Sequence, residues 1–549
     1  MSQQQVNRVP LGATLAMRQK LALMYVLMLT MFLTALDQSI VATAVPHIVA
    51  DLGGFRLLPW VFTIYVLTST VIIPPIGKLT DMFGRKPFVI PGIAIFVLAS
   101  AACGAAPNMP LLILARGVQG IGSGIIIACV FATLGDLFTP VERAKYFPLF
   151  IGMFTFAGLI GPTLGGFLTD GPGWRWAFYL NPPVGLLAAI FITLRLPGGG
   201  GTGGRISQID FLGSALLAVA TSTLLVAFAW AHHDFGWMAP QTISLLAVSF
   251  VFGVAFLLQE KRHPQAILPL SLFRNVPFVQ AVLVTLCAAS MLFSAGQFLP
   301  TYVQISLGQT ARMSGLIATP QGIGVFLTGL LTGQLISRIG RYKLQMIVGS
   351  IGLIVANGLL SQIGADSSRL HIAGLLLFSG LSAGLVMPVT QVIIQGSVSQ
   401  RDQGIASSAR QFFLQIAQVM GLAFLGLIFT SSYTSGFTAR SADFAAQLPP
   451  AAYQAFSVDP TISLDAQRFA PIKRAIEAQP NGEALLARTI EAQRDGVAHG
   501  IDIVFTASTV ASVIILVICL TMKEITLRRS FSTEEAAAPA QAAAAAAAH

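Results

Sequence analysis

The sequence predicts an all-α protein that crosses a membrane many times, and three observations support that prediction. Hydrophobic residues make up 54% of the 549-residue chain and charged residues only 10%, and the mean hydropathy is +0.76. This composition excludes a water-soluble protein, because so few polar residues could not cover its surface. The apolar residues also gather into long runs of about 20 residues, the length that a helix needs to cross a bilayer.

Fourteen apolar runs follow one another along the chain. They lie at residues 21–45, 58–76, 88–106, 110–134, 147–169, 174–195, 210–231, 240–259, 277–305, 314–336, 344–363, 370–394, 405–430 and 499–522. We therefore expect fourteen transmembrane helices, because a helix satisfies its own backbone polar groups inside a bilayer. The first run has no small-residue cleavage site behind it, so we expect a span rather than a signal peptide.

The basic residues predict the orientation in the membrane. With the N-terminus inside, 20 of the 32 Lys and Arg residues fall in cytoplasmic segments and only four in short outside loops. Membrane proteins accumulate basic residues in their cytoplasmic loops. We therefore expect both termini in the cytoplasm and a multi-pass protein of the inner (plasma) membrane. The +10 net charge belongs to these loops, so we expect no nucleic-acid partner.

Two unusual linkers interrupt the series of apolar runs. A Gly-rich connector, PGGGGTGG, occupies residues 197–204, and a long polar segment at 431–498 separates the last two runs. A weak repeat relates the two sides of the connector, since GKLTDMFGRKP at 77–87 is similar to GQLISRIGRYK at 333–343. Duplicated halves of this kind provide alternating access in many transporters.

These boundaries predict two six-helix halves separated by an inserted pair of helices. The predicted segments are a cytoplasmic N-terminus at 1–20, an N-terminal half at 21–196, the linker with two inserted helices at 197–276, a C-terminal half at 277–522, and a cytoplasmic tail at 523–549. For the outside segment, 431–498, a short helical hairpin and a mobile loop are both open. We expect a monomer, because each half can pack against the other.

One carboxylate, Asp37, lies deep inside the first apolar run. A carboxylate at that depth is costly unless it faces a partner or a cavity, so it marks a candidate functional site. Arg116 lies at a similar depth, roughly 9 to 12 Å below the outer surface at 1.5 Å per residue, so the two can meet. An aspartate that moves towards and away from a guanidinium would load and release a proton. A static ion pair and a substrate-binding acid are the alternatives.

The loop GKLTDMFGRKP combines two glycines with an acidic residue and several basic residues. Its candidate latch residues are Gly77, Asp81, Gly84, Arg85 and Lys86. The two glycines permit a tight turn and close approach of helices. Asp81 can accept bonds from Arg85 or cap a neighbouring helix, which would hold the cytoplasmic side shut.

This loop resembles the signature loop of the major facilitator superfamily. The motifs that resemble its fourteen-span drug:proton antiporters are LDQSIVATAVP at 36–46, RGVQG at 116–120, GLIGP at 158–162, WRW at 174–176 and NPP at 181–183. The resemblance implies a major facilitator fold with two inserted helices and proton-driven export of drugs. It assigns the interface between the halves to Gly158, Gly161, Pro162, Gly165 and Gly166. Simple small-residue packing is the alternative for that run.

Polar residues inside the predicted spans form the candidate substrate cavity. They are Gln119, Tyr65, Gln297, Tyr302, Gln321, Gln391, Arg410 and Gln411, together with the aromatic Phe154. A cavity with apolar walls and few charges suits amphipathic or lipophilic compounds rather than sugars or phosphates. No second acid lies as deep as Asp37, and Asp502 is the nearest candidate. This argues against a strong preference for dications and leaves monovalent, neutral and anionic amphipaths, including lipids, open.

The predicted function is therefore proton-coupled antiport that exports hydrophobic or amphipathic compounds by alternating access, as in multidrug efflux. The expected partners are the substrate, protons and membrane lipids. No P-loop of the form GxxxxGK[ST] occurs, which counts against an ATP-driven pump. No nucleophile with its base and no cluster of metal ligands stands out, so we expect neither enzyme activity nor a metal or cofactor. A lipid or lipopeptide translocase and a non-transporting membrane sensor are the alternatives.

Overall fold

The fold is described by a computed structural model, which covers residues 12, 15–52, 57–198, 209–233, 236–263, 266–398, 402–464 and 466–524. Within these ranges it contains helices and no β-strand. Thirteen helical segments are long and apolar enough to cross a membrane, and Pro140–Asp170 is the helix at the remaining predicted span. The all-helical, fourteen-span prediction is confirmed. The connector from residue 199 onwards, most of the N-terminal segment and the tail from residue 525 lie outside the described residues.

The helices are numbered here in chain order. The first eight are α1 (Met17–Leu52), α2 (Leu58–Phe83), α3 (Lys86–Gly104), α4 (Met109–Leu137), α5 (Pro140–Asp170), α6 (Asn181–Arg195), α7 (Phe211–His233) and α8 (Pro240–Arg262). The others are α9 (Val276–Ile305), α10 (Ala311–Ile339), α11 (Lys343–Leu360), α12 (Arg369–Gly384), α13 (Met387–Gly396), α14 (Gln403–Ser441), α15 (Pro450–Val458), α16 (Ala466–Glu477) and α17 (Gly482–Thr521). α12 and α13 together form one span.

Several helices begin at side chains that satisfy their first free N–H groups. Asn108 accepts a bond from the backbone of α4, and Asn275 and Thr310 do the same for α9 and α10. Thr139 and Glu142 form a capping box at the start of α5. Such caps stabilise a helix by about 1 kcal/mol each. They also fix where the apolar runs enter and leave the bundle.

The distribution of the apolar core shows which end of the bundle is closed. We call the end that carries residues 77–87 the loop end. One buried cluster at this end unites both halves, and it includes Phe131 with Val389 and Phe412. Towards the opposite end the halves bury separate clusters, with Val61 in one and Phe429 in another. The halves are therefore packed together at the loop end and separate towards the opposite end.

The inserted helices lie against the flank of the bundle. Trp230 of α7 packs edge-on against Trp60 of α2, with ring centroids 5.9 Å apart, and Phe228 packs against Phe424 of α14 at 5.3 Å. α8 packs on α7, where the hydroxyl of Ser249 donates to a carbonyl of α7 at 2.8 Å. The inserted pair thus touches one helix from each half.

The outside segment, 431–498, is helical and packed, which decides between its two alternatives. α14 continues to Ser441 and α17 begins at Gly482, so both helices are longer than the apolar runs that predicted them. α15 and α16 fill the space between. The stacked ring of Phe437 lies 6.1 Å from those of Tyr433 and Phe456, and the Tyr433 hydroxyl donates to the Phe456 carbonyl. The helical alternative for 431–498 is therefore the correct one, with α15 and α16 packed between α14 and α17.

The WRW motif ties α1 to the start of α6 at the opposite end. Trp174 donates from Nε1 to Asp51 at 3.0 Å, and Arg175 forms an ion pair with the same carboxylate. The hydrogen bonds from Arg175 and Trp174 lower the pKa of Asp51. This pair is partly exposed, so solvent screens it.

Candidate functional site

The side chains of Asp37 and Arg116 meet inside the first half. Asp37 is 1% exposed and Arg116 is fully buried. Nη1 of Arg116 donates to Oδ2 of Asp37 at 2.5 Å. Oδ1 of Asp37 accepts from Nε2 of Gln119 at 2.9 Å and from Nδ2 of Asn181 at 2.8 Å. Every partner of this carboxyl group donates to it, so the geometry fits the ionised form.

The guanidinium of Arg116 is held from several sides. Nη1 also donates to Oε1 of Gln119 at 2.8 Å, and Nε donates to the Val61 carbonyl at 3.3 Å. The ring of Tyr65 lies 4.3 Å from its central carbon. Nη2 has no hydrogen-bond partner among the described residues. Arg116 therefore depends on the Asp37 carboxylate for its charge balance.

Asn181 completes this site, although the sequence did not predict it there. Asn181 is the first residue of α6, and its amide also donates to Ser100 at 2.9 Å. Ser100 in turn donates to the Phe178 carbonyl at 2.8 Å, which fixes the amide. The signal for Asn181 in the sequence was an amide side chain followed by two prolines inside an apolar run. An amide at such a position needs a polar partner, because burying it alone is costly.

The other predicted cavity residues do not gather around Asp37. Gln391, Arg410 and Gln411 are buried on α13 and α14. Gln321 is half-buried on α10, while Gln297 and Phe154 are exposed on α9 and α5.

Tyr302 belongs to a core rather than to a cavity wall. It is fully buried in the cluster of the second half, and its hydroxyl donates to the Gly364 carbonyl at 2.7 Å. A buried Tyr hydroxyl commonly takes such a partner, so its polarity alone did not mark a cavity.

A second buried charge cluster lies at the loop end. Arg85 donates to Asp81 at 2.6 Å and to Asp136 at 2.9 Å. Burial alone would lower the pKa of Arg85, but the carboxylates of Asp136 and Asp81 outweigh it and raise that pKa above its ordinary value. Gly84, with φ of 90°, ends α2 just before this arginine, and Gly340, with φ of 75°, ends α10 in the repeat. Only glycine adopts such conformations easily.

The same cluster joins the two halves. Oδ2 of Asp81 accepts from the backbone N–H of Ile405, in the first turn of α14, at 2.8 Å. A Cβ on Gly404 would lie 2.3 Å from Asp81, and one on Gly77 would lie 2.2 Å from Ser408. Lys86 is more peripheral and donates to the Thr193 carbonyl at 2.7 Å. The carboxylate caps a helix of the other half, where the helix dipole favours negative charge.

Arg143 adds a further link between the halves at the loop end. It is 1% exposed and donates to Gln395 at 3.2 Å and to Gln403 at 2.9 Å, both in the second half. Its other bonds go to the carbonyls of Phe138 and Gly135. Neutral carbonyl and amide oxygens thus accept the hydrogen bonds of a buried cation at the contact between the halves.

The glycine-rich run of α5 makes one very close contact. A Cβ on Gly161 would lie 2.2 Å from the Cβ of Ser39 on α1, whereas a Cβ on Gly158 or Gly166 would meet no described atom within 4 Å. Gly165 is buried, and the side chain of Pro162 lies outside the described residues. Gly161 is therefore the position where α5 approaches α1. Its neighbour there, Ser39, lies two residues after Asp37 in α1.

We expect Gly161→Ala to destabilise the protein, because the added methyl group must push α5 away from α1. Overpacking of this kind costs about 1–3 kcal/mol. Gly158→Ala is the matched control, since its methyl group meets open space and should leave stability unchanged. Thermal unfolding of both purified variants tests this. An equal loss of melting temperature at the two positions would contradict the assignment of the contact to Gly161.

Comparisons with known proteins agree with the fold. The model of the Major Facilitator Superfamily matches residues 27–422. Multidrug transporter protein MdtP of Bacillus subtilis (strain 168) is 38% identical over 77% of this chain and 80% of its own length. Multidrug resistance protein 3 of the same strain is 31% identical over 74% of this chain and 79% of its own length.

A solved structure shows the same fold at much lower sequence identity. The human organic anion transporter MFSD10 (TETRAN) superposes with a TM-score of 0.54, covering 75% of this chain and 94% of that protein, at 16% identity. The family resemblance found in the loop and helix motifs is thus confirmed. With the family model matched across most of its spans, this chain belongs to the major facilitator superfamily.

Proposed function

We propose that this chain exports hydrophobic or amphipathic compounds in exchange for protons, by alternating access. The observation that carries the proposal is the fully buried Asp37 carboxylate, which one arginine and two amides hold in place. An ionisable residue inside a membrane helix is by default a functional candidate. The efflux part of the proposal is supported by the relatives, of which one is named a multidrug transporter protein and the other a multidrug resistance protein.

Proton binding at Asp37 would disturb a defined set of contacts. A neutral carboxyl group accepts fewer bonds from Arg116, Gln119 and Asn181, so the contacts of α1 with α4 and α6 weaken. α1 also packs directly on α5 at Ser39 and Gly161. Protonation is therefore proposed to change how α1 and α5 pack.

The loop end supplies the gate that such a change would act on. α5 carries Arg143, whose bonds to Gln395 and Gln403 help to close this end. The predicted orientation places the loop end in the cytoplasm, so the present conformation is proposed to face outward. Alternation would open the loop end and close the opposite end.

Transport in vesicles tests the proposal. Purified protein is reconstituted into liposomes, a pH gradient is imposed, and uptake of an amphipathic dye is followed, either 11-(dansylamino)undecanoate or its uncharged methyl ester. We expect dye movement against the proton flow that collapses when an ionophore removes the gradient. Flux of dye that ignores the gradient would rule out proton antiport. Movement of a labelled lipid without dye movement would instead support the lipid translocase alternative.

A further inference from the structure

Arg410 on α14 is a buried cation of an unusual kind. It is 2% exposed, and its Nε donates to the Thr390 hydroxyl at 3.2 Å. Its central guanidinium carbon lies 5.6 Å from the ring centroid of Phe147, which belongs to α5 in the other half. Among the described residues no carboxylate forms an ion pair with it. Its positive charge is therefore buried without a countercharge.

The other buried arginines show how different this is. The described part of the chain buries four arginines. Arg85 pairs with two carboxylates, and Arg116 pairs with one. Arg143 has no carboxylate partner among the residues that the structure describes, but it donates to oxygens of four residues. Within the described part of the chain Arg410 makes one hydrogen bond, so it retains most of its donors for another partner.

The position of Arg410 links it to the movement of the two halves. It lies about 10 Å along α14 from Gln403, at 1.5 Å per residue, on the loop-end half of that helix. Gln391 and Gln411, the sequence neighbours of Thr390 and Arg410, are also buried and neutral. Phe147 covers the guanidinium from across the seam between the halves. Opening the loop end would draw this ring away and uncover the cation.

We propose that Arg410 is the charge receptor for the transported compound, which is an amphipathic monoanion bearing a carboxylate, sulfonate or phosphate. This rests on the proposed function and names its substrate class. A guanidinium matches such groups because it can donate two parallel N–H bonds. The anion binds when the loop end is open, and the return of Phe147 displaces it when that end closes. The distance from Arg410 to the Phe147 ring is near the limit for cation–π contact, so the ring is easily displaced from the guanidinium.

A matched pair of ligands tests the proposal. The acid 11-(dansylamino)undecanoate and its methyl ester share a fluorophore and a chain and differ in charge. Their binding to purified protein is measured by dansyl fluorescence. We expect the wild-type protein to bind the acid at least about tenfold more tightly than the ester, as one charge-assisted pair implies. Arg410→Gln should reduce acid binding to the level of the ester, whereas Arg410→Lys should keep part of the preference.

Arg143→Gln is the matched control, because it removes another buried arginine from the same end. It should alter the closing of the loop end without changing the ratio of acid to ester affinity. Equal affinity for acid and ester in the wild-type protein would overturn the proposal, even if Arg410→Gln fails to fold. An unchanged acid preference in folded Arg410→Gln protein would overturn it too.

Flux separates this proposal from the proposed function. If the wild-type protein prefers the acid through Arg410 but a pH gradient drives neither compound, the anion site stands and proton antiport fails. If a pH gradient drives both compounds equally in the wild-type protein and in Arg410→Gln, proton antiport stands and the anion receptor is wrong.

Discussion

Asp37→Asn is expected to abolish gradient-driven export while leaving substrate binding largely intact. Asparagine has nearly the same shape as aspartate, but it cannot take up and release a proton at physiological pH. Its amide can still accept a bond from Arg116, so α1 stays near α4. The measurement is dye flux in liposomes with an imposed pH gradient, beside equilibrium dye binding to the same preparation.

The charge left behind in this variant needs its own control. Removing one partner of a buried ion pair typically costs about 3–5 kcal/mol, because the other charge stays buried alone. Asp37→Asn should therefore also lower the melting temperature. The double variant Asp37→Asn with Arg116→Gln has no buried charge at this site and should regain much of the stability. It should not regain gradient-driven flux, since it still lacks the proton-binding group.

Asp37→Glu completes the series, because it keeps a titratable group at the same place. It should retain part of the coupled flux, limited by the fit of a longer side chain. Full gradient-driven flux in either variant that lacks the carboxylate would remove Asp37 from the mechanism. Restored flux in the double variant would favour the static ion pair that the sequence left open.

Asp81→Asn is expected to open the loop end. The substitution removes one of the two countercharges of Arg85, leaving Asp136, and weakens the cap on α14 at Ile405. Hydrogen bonds to charged groups contribute about 1.5–3 kcal/mol, which shifts a two-state equilibrium by about 10- to 150-fold. Because the same carboxylate binds both halves, its loss acts directly on their separation.

Distances between spin labels at the loop end measure this opening. Lys145 on α5 and Gln334 on α10 are exposed, and their helices touch where Gly329 lies close to Pro148. Labels on cysteines at these two positions, in a chain whose native cysteines are replaced, should move apart in Asp81→Asn. Asp51→Asn is the matched control, because it removes an Arg-paired carboxylate at the opposite end. Equal shifts in both variants, or none in Asp81→Asn, would contradict a latch at Asp81.

The sequence predicted the spans and the central pair for a simple geometric reason. A helix advances by a fixed rise per residue, so counting from the ends of two apolar runs was enough to place Asp37 and Arg116 at one depth. Gly77 and Asp81 were identifiable because turn chemistry and helix capping are local. The contacts that these residues make with Ser408 and Ile405 join distant parts of the chain, and the sequence alone did not specify them.

For the remaining residues the sequence predicted the depth in the membrane but not the contacts. Counting gives depth along a helix but not the direction in which a side chain points. Tyr302 and Gln297 lie on the same helix, yet one is buried in a core and the other is exposed. Asn181 was overlooked because NPP served only as a motif of the family resemblance, and nothing in it specified a contact with Asp37. α14 and α17 are longer than the apolar runs that predicted them, because their ends pack against the helices of the segment 431–498.

Proton movement driven by substrate tests the central claim most directly. Liposomes containing a pH-sensitive dye and the wild-type protein receive a substrate gradient and no pH gradient. Proton antiport at Asp37 predicts that substrate flow drives protons in the opposite direction, and that Asp37→Asn abolishes this counterflow. Substrate flux through the wild-type protein without any proton movement would contradict the claim.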